Sequence, residues 1–274
     1  MNKERISIRA GHLPALTFRE LWRYRELFWM LAWRNIAVRY RQTFFGVIWA
    51  LVRPLSTMLA FSFIFGRMAK LSGISGVPYW MLVFSGVVVW QFFSGMVSGG
   101  CGGLVGNRGL VTKVYFPRII IPVSGIMVCV VDLLLALAVF FAMYAFSCRA
   151  VVSWRIALLP LTLALLVPYA LGLVLMLSAL NVRYRDFHHV VPFLLQLGLF
   201  VSPVGFSGAV VPGVWRIVCY FNPIYGTIGF ARWSLFGAPV ESGALISASA
   251  ISWTVLAIGF AVFRRQEKSF QDYI

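Results

Sequence analysis

Along the 274 residues, apolar runs long enough to cross a membrane alternate with short polar connectors. Six such runs predict spans at 44–66, 79–104, 118–146, 157–180, 187–205 and 244–263. Each is roughly 20 residues or more, as a hydrocarbon core of ~30 Å requires. Backbone groups in lipid have no water to bond, so continuous runs of this length read as helices. The period-2 alternation of a β-barrel strand is missing from them. The stretch 206–236 is also apolar, but Pro212, Pro223, Gly226 and Gly229 break it, predicting short helices that dip into the outer interface. The fold class is therefore all-α integral membrane, in three parts: a cytoplasmic segment 1–43, a six-span domain 44–263 and a cytoplasmic tail 264–274.

The segment 1–43 has a different pattern. Phe18, Leu21, Trp22, Phe28, Trp29, Ala32, Trp33 and Ile36 fall on one helical stripe, with Arg19, Glu20, Arg23, Glu26 and Arg34 largely opposite. That predicts an amphipathic helix at the interface, with Arg25 interrupting the stripe and snorkelling. Its arginine content, without an early isolated apolar region, argues against a cleavable signal peptide.

Composition supports the membrane reading: 61% of residues are apolar and 12% charged, with mean hydropathy +0.86. The net charge of +16 would suit nucleic acid, but its distribution along the chain explains it otherwise. Of 24 Lys and Arg, Arg67, Lys70, Arg149, Arg155, Arg216 and Arg232 fall on one side, Arg53 lies inside the first span, and the remainder fall on the opposite side. This is a positive-inside signature that places both termini in the cytoplasm.

Much chemistry is excluded. There is no P-loop, no H-E-x-x-H, no G-x-S-x-G and no paired carboxylate face. The eight acids leave little for acid–base work or a proton relay. Cys101 and Cys129 lie in spans, and Cys148 and Cys219 lie in outward loops where they could pair, but their spacing defines no framework. No metal site is expected. His188 and His189 beside Asp186 are the one cluster an enzyme could use, and at a helix entry they read as a solvated cap.

Three features remain. In the second span Gly95, Gly99 and Gly103 recur every four residues, allowing close helix approach, with Trp80, Trp90, Phe92 and Phe93 beside them. The segment 107–118 is too polar for the membrane, and it would present Leu110, Val114 and Tyr115 with Lys113 toward the cytoplasm as a docking knob. Arg53 and Asp132 are charges inside spans, where a lone charge costs ~2.5–3.5 kcal/mol or more, so they are expected to pair. The alternatives for Arg53 are contact with a lipid pyrophosphate and placement nearer water.

In order and spacing, a set of short motifs resembles the permease subunit of type-2 ABC exporters of the polysaccharide class (O-antigen, capsule or teichoic acid export). The set is Ile48-Trp-Ala-Leu-Val-Arg-Pro-Leu55, Phe65-Gly66, Val77-Pro-Tyr79, Gly86, Trp90, Phe93, Asn107 and Lys113-Val-Tyr-Phe-Pro-Arg118. It continues with Leu180-Asn-Val-Arg-Tyr-Arg-Asp186, Phe200-Val-Ser-Pro-Val204, Phe221-Asn-Pro-Ile224 and Arg232. Arg53 inside the first span and the dense glycines from Gly99 to Gly109 are less typical.

The resemblance implies a homodimer of six-span permeases joined to two copies of a separate ATPase, moving a lipid-linked polysaccharide across the bacterial inner membrane. No cofactor is then expected in this chain, since ATP and Mg would sit on the ATPase. It also implies that Asn107, Arg108, Lys113, Tyr115, Phe116, Pro117 and Arg118 form the ATPase-coupling segment. The stretch after Ser202 and Pro203 would be an outer gate, with Pro212 and Trp215 in it and the hinge at Ser202-Pro203. A conduit wall should hold sugar weakly, which suits aromatic faces. The residues expected there are Trp90, Phe92 and Phe93 of the second span with Phe193, Gln196 and Phe200 of the fifth. The competing readings are a type-2 exporter of a drug or small lipid, a membrane glycosyl- or acyltransferase, and a channel without an ATPase.

Overall fold

A computed structural model describes residues 18–41, 46–68, 70, 73, 77–114, 116–147, 154–206, 208, 211–267 and 270. Those residues form helices and connectors, in the order α1 (Phe18–Arg23), α2 (Arg25–Arg41), α3 (Gly46–Phe61), α4 (Tyr79–Cys101), α5 (Gly103–Gly106), α6 (Arg108–Lys113), α7 (Ile120–Ser147), α8 (Leu159–Arg183), α9 (Phe187–Val201), α10 (Gly213–Tyr220), α11 (Pro223–Phe236) and α12 (Ser242–Glu267). A π-helical turn, Ser62–Met68, extends α3, and a 3-10 turn, Trp154–Leu158, leads into α8.

Five of these elements are long and apolar enough to cross a membrane: Gly46–Met68, Tyr79–Cys101, Ile120–Ser147, Trp154–Arg183 and Ser242–Glu267. They match five of the expected spans to within a few residues, and they make the chain a multi-pass membrane protein. The element expected at 187–205 is shorter. α9 has 15 residues, about 22 Å of helix, and stops at Ser202-Pro203 because proline cannot extend the ladder.

α4 is the hub. Its residues from Met81 to Phe93 are almost all buried, and α3, α7, α8, α9 and α11 all pack against it. The glycine stripe packs inside the protomer against α7: Gly99 faces Gly125, Gly95 faces Cys129, and Gly103 faces Ile121 and Pro122. The closest approach lies elsewhere. Gly172 of α8 and Gly259 of α12 meet backbone to backbone, and a Cβ on either would collide with main-chain atoms of the other helix. Small residues at such a crossing are the membrane substitute for hydrophobic drive.

α2 departs from the single-stripe expectation. Trp22, Trp29 and Trp33 are exposed as expected, but Leu31 and Ala32 are buried, and α2 packs along α7. The helix is therefore apolar on two sides, one toward the protein and one outward. Arg25 lies over the Trp22 ring, 5.5 Å from its centroid, so its charge is held at the surface beside an aromatic.

The intramembrane acid is also paired differently from expectation. Asp132 pairs with Arg39 at 2.8 Å and accepts a hydrogen bond from Tyr40, both at the end of α2, rather than pairing with Arg53. Because α2 rises along α7, its basic end supplies the counter-charge before α3 begins. Among the described residues Arg53 makes no ion pair.

The glycine crossing is testable. Gly259→Val is expected to destabilise the protein by about 1–3 kcal/mol or more through overpacking. Gly229→Ala, where an added Cβ meets nothing within 4 Å, should be near neutral. Thermal unfolding of the detergent-solubilised protein compares the two.

Candidate functional site: a polar knob, an exposed face and a buried latch

The knob is built by α5 and α6 between α4 and α7. The α4 helix ends at Gly102, and two short helices reverse the chain, with Asn107 between them. Asn107 donates to the Gly103 carbonyl at 2.8 Å and accepts from Arg34 of α2. Leu104, Val111 and Phe116 fold inward, where they join Leu31, Ile120, Phe263 and Phe270 in a core of their own. Arg118 donates to the Glu267 carbonyl at 2.7 Å and lies over Phe270. Glu267 is buried and holds Arg264 at 3.0 Å. The outward side of the knob carries Arg108, Lys113 and Val114, all exposed. Tyr115 lies outside the described residues. Phe116, also in the expected coupling segment, is buried and anchors the knob from inside.

The expected conduit residues divide sharply. Trp90, Phe92 and Phe93 are only 6%, 5% and 3% exposed. Trp90 fills the space left by Gly198 and so seats α9 against α4, and Phe93 stacks on Tyr169 of α8 at 5.3 Å. They are core residues of the protomer, because the bulkiest side chains of the hub helix are those its neighbours bury. Phe193 and Phe200 are 59% and 58% exposed, and Gln196 is exposed with them. Spaced at i, i+3 and i+7, these three share one face of α9. On the first span, Arg53, Ser56 and Ala60 have the same spacing, with Trp49 one turn before them, and all four are exposed. The two helices meet where Phe61 stacks on Phe200, with ring centroids 5.7 Å apart. The exposed polar and aromatic face thus belongs to α3 and α9, not to α4.

Beyond α9 the chain turns without helix through Ser202, Pro203, Val204 and Gly205, all buried, to the half-buried Phe206. Its carbonyls need donors. Arg232 of α11, 4% exposed, donates through Nη1 to the Phe206 carbonyl at 2.8 Å and through Nη2 to those of Val204 at 2.9 Å and Leu82 at 3.2 Å. Tyr79 donates to the Gly205 carbonyl, and Asn222 donates to the Ser202 hydroxyl at 3.1 Å. Gly86 leaves the room: a Cβ there would meet the Arg232 guanidinium and the Val204 backbone at 3.0 Å. Gly86 and Arg232 belong to the motif set above. The sequence marked both positions without showing that they touch.

Outside this latch, α10 is amphipathic. Val214, Trp215, Ile217 and Val218 are exposed, and Pro212 just before it is exposed too. Arg216 pairs with Glu241 at 3.7 Å, and Tyr220 donates to the same carboxylate at 2.8 Å. Tyr225 donates to it from α11, so one acid gathers α10, α11 and the start of α12. Burial, then the Glu241 charge, pushes the Tyr225 phenol up to about 12, and the hydrogen bond to Glu241 raises that of Tyr220. Both phenols stay protonated at neutral pH and act as donors.

The remaining cluster stays solvated. His188 and His189 are exposed, their rings in edge contact, and Asp186 is exposed beside them. Among the described residues no group of three or more metal-ligating side chains converges. Cys219 is a free, half-buried thiol, and Cys148 lies outside the described residues.

The comparisons with known proteins agree with this architecture. The family model described as "ABC-2 type transporter" matches residues 26–236. The chain belongs to the ABC-2 type transporter family. It is 26% identical over 259 residues to an "O-antigen export system permease protein RfbA" of Myxococcus xanthus, a match covering 93% of this chain and 98% of the relative. Two proteins of the same description from Klebsiella pneumoniae are 25% and 22% identical, each covering 88% of this chain and 92% of the relative. Family membership makes an ATP-binding cassette subunit the partner of this permease.

The latch gives a clear expectation. Arg232→Gln removes a guanidinium that serves three carbonyls, and the unsatisfied groups should cost several kcal/mol at about 1–3 kcal/mol each. Limited proteolysis between 202 and 221 in folded membranes should accelerate, while cleavage at α2 should not.

Proposed function

We propose that this chain is the membrane subunit of an ATP-driven exporter that moves a lipid-linked polysaccharide out of the cytoplasm of a bacterium. The observation that carries this reading is the match along nearly the whole chain to permeases named for O-antigen export. Two copies would pair with two ATPase subunits, and ATP and Mg would be held by those subunits. α9 with the turn after it would complete a sixth crossing, and α10 and α11 would form the outer gate around the Ser202-Pro203 hinge. Both termini would face the cytoplasm, as the bias of Lys and Arg supports.

The conduit would run between the two subunits along the face made by α3 and α9. On the α9 side, Phe193 and Phe200 supply weak aromatic contact and Gln196 a polar handle for a sugar chain. This moves the inner wall from the second span, expected from the sequence, to the first.

The knob would seat in the ATPase. Arg108 and Lys113 present charge outward, while Leu104, Val111 and Phe116 root the knob in the protomer. An ATPase step that moves the knob would therefore also move α2, α7 and the end of α12.

Lys113→Glu is expected to lower export while leaving the permease in the membrane, with ATP hydrolysis no longer tied to transport. Copurification of the ATPase and export-coupled hydrolysis, both at wild-type levels, would rule out this docking role. For the conduit, single cysteines at Gln196 and Phe200 in a cysteine-free background should crosslink between subunits or be shielded by trapped polymer. Free reaction with lipid-phase reagents and no crosslink would place the conduit elsewhere. Loss of surface glycan in a deletion strain, restored by this chain together with its ATPase, tests the exporter reading itself.

A further inference from the structure

We infer that Arg53 is a receptor for a lipid-borne phosphate, placed on the exposed face of the first span. The inference rests on the exporter reading for its orientation, but its logic is one of charge balance. An exposed guanidinium inside a span cannot sit against acyl chains without cost, so it needs water, an acid or a ligand anion.

None of the described acids forms an ion pair with Arg53. Asp132 holds Arg39 and Tyr40, Glu241 holds Arg216 with two tyrosines, and Glu267 holds Arg264. Glu20 and Glu26 lie near the beginning of the described chain, on α1 and α2, well before the end of α2 that reaches Asp132. Asp186 precedes α9. Counted from the Phe61–Phe200 stack, Arg53 lies eight residues along α3 and Asp186 fourteen residues along α9. At 1.5 Å per residue the carboxylate lies roughly 9 Å nearer the basic side.

The surroundings fit an anion bound at the end of an apolar tail. Arg53 lies seven residues into α3, about 10 Å from its basic-side end, so an extended side chain reaches toward the phosphate level of that leaflet. One turn further along, the Ser56 and Thr57 hydroxyls donate to the Arg53 carbonyl at 3.1 and 2.9 Å, and the Gln91 amide of α4 donates to the Thr57 hydroxyl at 3.5 Å. These form a polar patch on otherwise apolar helices. A guanidinium fork recognises a phosphodiester or diphosphate through its paired N–H donors. The chemical class is thus a phosphate on a lipid, either the diphosphate of a polyprenyl carrier or the headgroup of an anionic membrane phospholipid.

The test uses the permease–ATPase complex in nanodiscs of phosphatidylcholine, without polymer or nucleotide. Polyprenyl diphosphate and phosphatidylglycerol are titrated separately, and bound lipid is read by native mass spectrometry. Arg53→Gln should weaken binding about tenfold or more, Arg53→Lys should retain part of it, and Arg67→Gln, at the far end of the same span, should change nothing. An Arg53-dependent preference for the diphosphate identifies the carrier as the ligand. Arg53-dependent binding of phosphatidylglycerol without that preference identifies a membrane headgroup. If Arg53→Gln binds both lipids as the wild type does, or if Arg67→Gln loses as much, the inference is overturned. Removing a charge from a span does not oppose insertion, and matched thermal unfolding of the variants confirms that binding is compared between folded proteins. Because the assay contains no polymer, its failure leaves the exporter reading standing. Absence of export with Arg53-dependent lipid binding intact would sink the exporter reading alone.

Discussion

A carbonyl that loses its helical partner inside an apolar protein must find another donor, and much of this architecture follows from where that happens. α9 stops at Ser202 because Pro203 cannot continue the ladder, and the next three residues run buried outside any helix. Arg232 and Tyr79 fill that deficit from two other helices. Arg232 also takes the Leu82 carbonyl, so one guanidinium fixes the end of α9, the top of α4 and the middle of α11 together. Because Arg232 has no acid partner among the described residues, its three hydrogen bonds are all charge-assisted donations to backbone. A latch of this kind is specific in geometry and sensitive to any shift of its acceptors. It suits a joint that holds one arrangement and releases it as a unit.

Helix placement was largely legible in the sequence, because the need to satisfy backbone groups in lipid turns length and apolarity into spans almost directly. Which way each helix faces was not. In water a buried Trp and an exposed Trp carry different costs, so the sequence pattern reports the inside. In a bilayer both sides of the helix are apolar, and the aromatic density of α4 fits lipid, a conduit or a core equally. That is why Trp90, Phe92 and Phe93 were expected on a wall and are instead buried in the protomer, Trp90 against α9 and Phe93 against α8. The same limit applies to α2, whose tryptophans face outward while Leu31 and Ala32 face the protein.

Charge was legible in depth but not in azimuth. Arg53 and Asp132 both lie well inside their helices, and depth alone made them partners. The sequence could not show that α2 climbs along α7 and delivers Arg39 and Tyr40 to Asp132. A segment read as lying on the membrane surface therefore supplies the only described counter-ion inside it. The knob was easier to read, since twelve polar-rich residues between two spans must be solvent-facing. Its internal core, joined by residues from the far end of the chain, had no local signal.

These separate contacts define a continuous mechanical connection. α2 is bonded near its middle to the knob, through Arg34 and Asn107, and at its end to the interior of α7, through Arg39, Tyr40 and Asp132. The knob is tied again to the end of α12 through Arg118, Glu267 and Phe270. α12 in turn meets α8 at the glycine crossing, where backbones touch and sliding without separation is sterically blocked. Spatial continuity alone does not establish energetic coupling, which requires an element with two arrangements biased from both ends. The latch at Arg232 is the element whose hydrogen bonds could be exchanged as a set, and it lies at the opposite end of α4 from the knob. A displacement entering at Asn107 therefore has two stiff routes, α2 and α4, and one of them ends at carbonyls held by a single side chain.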